Sequence, residues 1–126
     1  MTCTIRFPDD APAVALLRSV GSDYNQLAGL SVADAWTLMI RIALLLTDIA
    51  AELGLPTDTH RPALNRLPER CEIWGRAAMG RASRSYTGTG RLEFILILEY
   101  TTERIGREEI QALQWALALG GILVTN

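Results

Sequence analysis

Apolar residues recur every three or four positions in four segments of this chain, which is the spacing of a helix with one buried face. Several predicted helix boundaries also carry the residue types expected there. Ser31 can accept a hydrogen bond as an N-terminal cap, while Gly54 and Gly120 follow the last periodic residues of two segments. The pattern predicts helices over residues of about 10–28, 32–53, 68–79 and 107–119.

Alternation of apolar and polar residues predicts strands in four other segments. In the segment that begins at Leu92, Ile95 and Ile97 make the second face apolar at its centre, so we expect this strand to lie inside a sheet. The glycines within residues 87–90, Thr-Gly-Thr-Gly, predict a hairpin turn just before it. The predicted strands span residues of about 2–7, 83–87, 92–101 and 122–125.

Together these elements predict an α+β fold, in which helices pack on a small mixed or antiparallel sheet. The length of 126 residues indicates a single globular domain over residues 1–126, because domains usually contain roughly 100 to 200 residues. Hydrophobic residues make up 49% of the chain and charged residues 21%, a balance that excludes long disordered stretches.

The first residues contain neither a basic nor an apolar leader pattern, and two cysteines are too few for a disulfide framework. We therefore expect a cytoplasmic location. The most apolar stretch, residues 35–53, contains Arg41 and Asp48, whereas a bilayer span has few central charges. It is interpreted as a buried helix, and no membrane contact is expected.

The helix predicted over residues 32–53 is apolar around most of its circumference. At about 100° per residue its polar members, Thr47 excepted, fall in an arc about 60° wide, and the helix over residues 107–119 carries two apolar stripes. An ordinary surface helix has a wider polar face, so each helix either runs through the middle of the domain or contacts another chain. The residues assigned to such an interface are Trp36, Leu44, Trp115 and Leu119.

The net charge of −2 hides three blocks of different sign. Residues 1–58 hold three arginines against seven carboxylates, residues 59–91 hold seven against two, and residues 92–126 hold two against five. All twelve basic residues are arginine, a choice that a GC-rich codon bias also produces. Blocks of opposite sign can pair between two chains, which favours self-association.

The segment over residues 76–91 interleaves four of these arginines with hydroxyl side chains and one aromatic residue, a composition that can hold phosphates or an acidic partner. The acidic remainder of the chain argues against a nucleic-acid module, because such modules are usually basic. We favour a solvated basic face, or one that contacts the acidic helices of a second copy. The residues assigned to this anion- or partner-binding site are Arg76, Arg81, Arg84, Arg91 and Tyr86.

Catalytic chemistry finds little support in the sequence. The one histidine, His60, lies in a predicted turn and is interpreted as a solvated loop residue or a local cap. One histidine and two distant cysteines cannot make a zinc site. Glu93 and Glu99 lie about 20 Å apart along a strand, too far to act as acid and base on one bond. We predict no catalytic residue, no metal and no cofactor.

The leading hypothesis is a small interaction module without its own catalysis, which self-associates or docks on a partner protein through apolar helix surfaces and complementary charge. The first alternative is nucleic-acid or anionic-ligand binding through the arginine-rich segment. The second is a small-molecule enzyme or ligand carrier with a pocket between sheet and helices.

Overall fold

The computed structural model describes residues 2–8, 10–11, 32–77, 79–86, 88–99 and 106–125. Over these residues the chain forms three helices and four strands. In chain order they are β1 Thr2–Pro8, α1 Val32–Glu52, α2 Arg61–Ala77, β2 Met79–Tyr86, β3 Leu92–Glu99, α3 Arg107–Leu119 and β4 Leu123–Thr125.

The four strands form one antiparallel sheet in the order β2-β3-β1-β4. Directly paired residues share a face, so Cys3 lies beside Leu98 and Ile5 beside Leu96 on the buried side of the sheet. Strand β3 has a hydrogen-bonded neighbour on each edge. The prediction that it is an interior strand is therefore confirmed.

The opposite face of the sheet is only partly covered. Ile95 and Ile97 are half-buried there, and the guanidinium of Arg6 on β1 forms an ion pair with the carboxylate of Glu93 on β3. The sheet thus has one wholly buried face and one face that combines apolar and charged groups.

One hydrophobic core joins the buried face of the sheet to the inner faces of all three helices. Each large apolar side chain removed from water contributes roughly 1.5 to 3 kcal/mol. The largest fully buried side chains are Trp36, Phe7, Ile5, Met39, Ile40, Ile42, Leu64, Leu67 and Leu98.

The helices meet at one end of the domain. A short connection joins the end of α1 to the start of α2, where the carbonyl of Thr57 accepts hydrogen bonds from the backbone N–H groups of His60 (3.3 Å) and Arg61 (3.1 Å). The ring of His60 contacts Trp115 near the end of α3. The end of α1, the start of α2 and the end of α3 are therefore neighbours.

The α+β fold and the antiparallel form of the sheet agree with the prediction, but two boundaries differ. Helix α2 begins at Arg61 rather than near residue 68, and Pro68 lies inside it. Pro68 is on the exposed side, while Leu64 and Leu67 are fully buried against the core. The burial of Leu64 and Leu67 stabilises the helical turn that Pro68 weakens. The prediction took Pro68 as the start of the helix and therefore placed this boundary too late in the sequence.

Strand β2 begins at Met79 rather than near residue 83, because all eight of its residues pair with β3. The helix predicted over residues 10–28 lies, beyond Ala11, outside the described residues. Helices α1 and α3 and strands β1, β3 and β4 lie close to the predicted bounds.

Candidate protein-interaction surface

The residues predicted for an interface occupy different environments. Trp36 is fully buried in the core, so its assignment to an interface is wrong. Leu44 and Trp115 are half-buried and pack against the core, and Leu119 at the end of α3 is exposed. Of this set, Leu119 has the largest exposed fraction.

Trp36 was misassigned because the wide apolar circumference of α1 is mostly covered within the domain. The sheet, α2 and α3 pack around it, so side chains such as Met39 and Ile42 have no exposed area. Helical periodicity tells how much of a helix is apolar, but not how many neighbours cover it.

A different apolar row of α1 remains in contact with solvent. Leu45 is 37% exposed and Ile49 is 41% exposed, one turn apart on the helix. Leu53, one turn further, is 74% exposed, and Leu55 follows at 50%. These four exposed apolar residues follow one another from the outer side of α1 onto the turn after it, and we call them the exposed apolar strip.

The local sequence explains why this strip continues past the helix. The N–H of Gly54 donates to the carbonyl of Ala51 and the N–H of Leu55 to that of Ala50, the pair of hydrogen bonds of a Schellman C-cap. Gly54 has a φ of 80°, which glycine adopts without steric cost. The reversal at Gly54 ends α1 while Leu53 and Leu55 remain at the surface.

Charged groups border the apolar strip on α1. Arg41 and Glu52 are both exposed, and Asp48 lies between them. The Asp48 carboxylate accepts a hydrogen bond from the Arg61 guanidinium at 3.1 Å, an ion pair that ties α1 to the start of α2. We call the surface made of the strip and these charges the α1 outer face; its members are Arg41, Leu45, Asp48, Ile49, Glu52, Leu53 and Leu55.

The arginine-rich segment is divided among several elements. Arg76 belongs to α2, Arg81 and Arg84 belong to β2, and Arg91 precedes β3. Of these four side chains the described part of the structure includes only that of Arg91, which is exposed and forms an ion pair with Asp10. Tyr86, at the end of β2, is 73% exposed.

Two of the side chains considered for catalysis, those of His60 and Glu93, form contacts with other residues of the fold. The imidazole of His60 is half-buried and stacks on the indole of Trp115, a contact that the sequence interpretation missed. No local pattern signals it, because His60 lies in the turn before α2 and Trp115 lies in α3, far away in the sequence. Glu93 is paired with Arg6, and Glu99 is exposed.

Burial raises the pKa of the Cys3 thiol to about 12. The thiol is therefore neutral near pH 7, whereas nucleophilic cysteines react as thiolates. Among the residues that the structure describes, no three His, Cys, Asp or Glu side chains are arranged to hold a metal ion.

In the described ranges, none of the helices has the length and hydropathy needed to cross a membrane. No protein-family model, curated protein or solved structure matches this chain.

Proposed function

We propose that this protein is a small interaction module that associates with a second copy through the α1 outer face. The observation that carries the proposal is the exposed strip of Leu45, Ile49, Leu53 and Leu55. Burying apolar surface against another chain is favourable by roughly 25 cal/mol per Å².

The grouping of these residues within Leu45 to Leu55 separates the strip from ordinary surface residues. Single exposed leucines are normal in proteins that bind nothing. Here four of the seven exposed large apolar residues in the described parts of the chain lie within Leu45 to Leu55, while the others are on separate elements. A grouped set of this kind favours a contact surface over chance exposure.

The rigidity of the helix also supports the proposal. The opposite side of α1 packs in the core, where Trp36 and Ala43 have no exposed area and Ile40 is 1% exposed. The strip is therefore held on a fixed support before any partner arrives. Association then orders few side chains and no backbone, which lowers its entropic cost.

Sedimentation of the full chain over a range of concentrations tests the proposal. We expect a monomer–dimer equilibrium in the wild-type protein, and at least a tenfold higher Kd in Ile49→Asp, because the new carboxylate would be buried in the contact. Leu123→Asp is the matched control, since Leu123 is an exposed apolar residue on β4. Circular dichroism verifies that both variants remain folded.

A wild-type chain that stays monomeric at several hundred micromolar would exclude the proposal. An equilibrium that Leu123→Asp weakens and Ile49→Asp leaves unchanged would place the contact elsewhere on the molecule.

A further inference from the structure

The α1 outer face consists of two adjacent rows. At about 100° per residue, Arg41, Asp48 and Glu52 fall within an arc about 40° wide. Leu45 and Ile49 lie to one side of that arc, rotated from Arg41 by about 40° and 80°. A charged row thus runs beside an apolar row along the same stretch of helix.

This arrangement distinguishes between the two ways in which a helix can meet a copy of itself. A two-fold axis parallel to the helices would place the apolar row of one copy opposite the charged row of the other. A two-fold axis perpendicular to the helices, lying in the plane of the contact, makes them antiparallel and places like rows opposite each other. The antiparallel arrangement alone buries leucine and isoleucine against leucine and isoleucine.

The charges at the ends of the charged row have opposite signs. Arg41 and Glu52 lie eleven residues apart, so their backbone positions are separated by about 16 Å along α1. That distance is too long for a salt bridge within one helix. In an antiparallel pair the guanidinium of Arg41 lies beside the carboxylate of Glu52 from the other copy. The two-fold symmetry gives two such contacts in each dimer.

Asp48 would meet its own equivalent near the centre of such a contact. Two uncompensated carboxylates there would repel each other. The hydrogen bond from Arg61 at 3.1 Å supplies each Asp48 with a positive partner from its own chain. The centre of the charged row is thereby neutralised, while its two ends keep their unlike charges.

We infer that the second copy lies antiparallel on α1, with Leu45 against Ile49 of the partner copy and Arg41 paired with Glu52 of the partner copy. This inference rests on the proposed function and adds the orientation of the partner and the charges that select it. Exposed ion pairs affect affinity modestly, so the two pairs act chiefly on orientation.

Mixing two charge-reversed chains tests the orientation. Arg41→Glu alone opposes two carboxylates at each end of the dimer, and Glu52→Arg alone opposes two guanidinium groups. We expect each variant to dimerise with a Kd about tenfold higher than the wild type. When the two are mixed, both ends of the heterodimer regain unlike charges, and we expect a Kd within about threefold of the wild-type value, measured with one chain fluorescently labelled.

Arg107→Glu and Glu69→Arg are matched controls, because they reverse exposed charges on α3 and α2 outside the α1 outer face. Neither should change the Kd, and their mixture should show no preference for the heterodimer.

The outcomes separate the two proposals. If Ile49→Asp disrupts the dimer but the mixed charge variants gain no affinity over either variant alone, the orientation is wrong and the association surface stands. If Ile49→Asp leaves the dimer intact, or if the wild-type chain does not dimerise, both proposals are wrong.

Discussion

The imidazole of His60 stacks on the indole of Trp115, with ring centroids 4.8 Å apart and ring planes inclined by 27°. The contact joins the turn before α2 to the last part of α3. It therefore holds the turn before α2 against α3, next to the place where the exposed strip of α1 ends.

Replacing His60 with alanine should lower the free energy of unfolding by about 1 kcal/mol, because the stacked contact with Trp115 is lost. Urea denaturation measures this change. Thr59→Ala is the control, since Thr59 is an exposed neighbour in the same turn. The loss should vanish when Trp115 is already leucine; an equal loss in that background would show that the stacking contributes nothing.

The C-cap of α1 predicts a backbone effect at Gly54. Its φ of 80° is unfavourable for residues with a Cβ, although no neighbouring atom lies within 4 Å of the Cβ position. We expect Gly54→Ala to destabilise the fold by about 1 kcal/mol, and Gly54→Asn to destabilise it less, because asparagine tolerates left-handed backbone better. Equal thermal unfolding temperatures for the two variants would contradict a conformational origin.

The start of α3 predicts a steric effect at Gly106. A Cβ at this position would overlap the carboxylate of Glu109, which is buried and lies 3.5 Å from the Nε of Arg66. Gly106→Ala should therefore cost at most about 1 kcal/mol, because the carboxylate is the end of a flexible side chain and can move aside. In a Glu109→Ala background the same substitution should cost nothing. Chemical denaturation of the wild type, the two single variants and the double variant gives the coupling energy between the two positions. Additive losses of stability would show that the Cβ and the carboxylate do not overlap.

The buried thiol of Cys3 predicts a dependence of stability on alkaline pH. Its pKa is raised by burial from 9.0 to about 12, so the unfolded chain loses this proton at a lower pH than the folded chain. The contribution to stability is complete below pH 9 and is lost as the pH rises from 9 towards 12, by at most about 1.4 kcal/mol per pH unit.

Cys3→Ala should remove this part of the pH dependence, as measured by urea denaturation between pH 8 and pH 11. In a Cys71→Ser background, a thiol reagent at pH 8 should label Cys3 only after unfolding. Rapid labelling of the native chain would show that the thiol is accessible.

The local pattern of apolar and polar residues predicted those elements whose structure depends mainly on residues close by in the sequence. Because Ile95 and Ile97 make both faces of β3 apolar at its centre, the sequence predicted an interior strand, and the pairing of β3 with both β1 and β2 agrees. The start of α2 was missed because its stability comes from burying Leu64 and Leu67, a tertiary effect that outweighs Pro68.

The sequence predicted that α1 has more apolar surface than an ordinary helix, but not which of its side chains are exposed. The surplus of apolar residues on α1 indicated a contact with another chain or a central position, and periodicity could not say which side chains other elements would cover. Trp36 was covered and Ile49 was not. Both are apolar residues of one helix, and the difference comes from where the sheet, α2 and α3 pack.

The order of the strands has a consequence for biosynthesis. Among the strands of this sheet β1 is translated before the others, yet its neighbours, β3 and β4, begin only at Leu92 and Leu123. Ile5, for example, pairs with Leu96 and with Val124. The nascent chain must therefore carry the apolar strand β1 without its neighbours until residues 92–125 have been made, and only then can the sheet close.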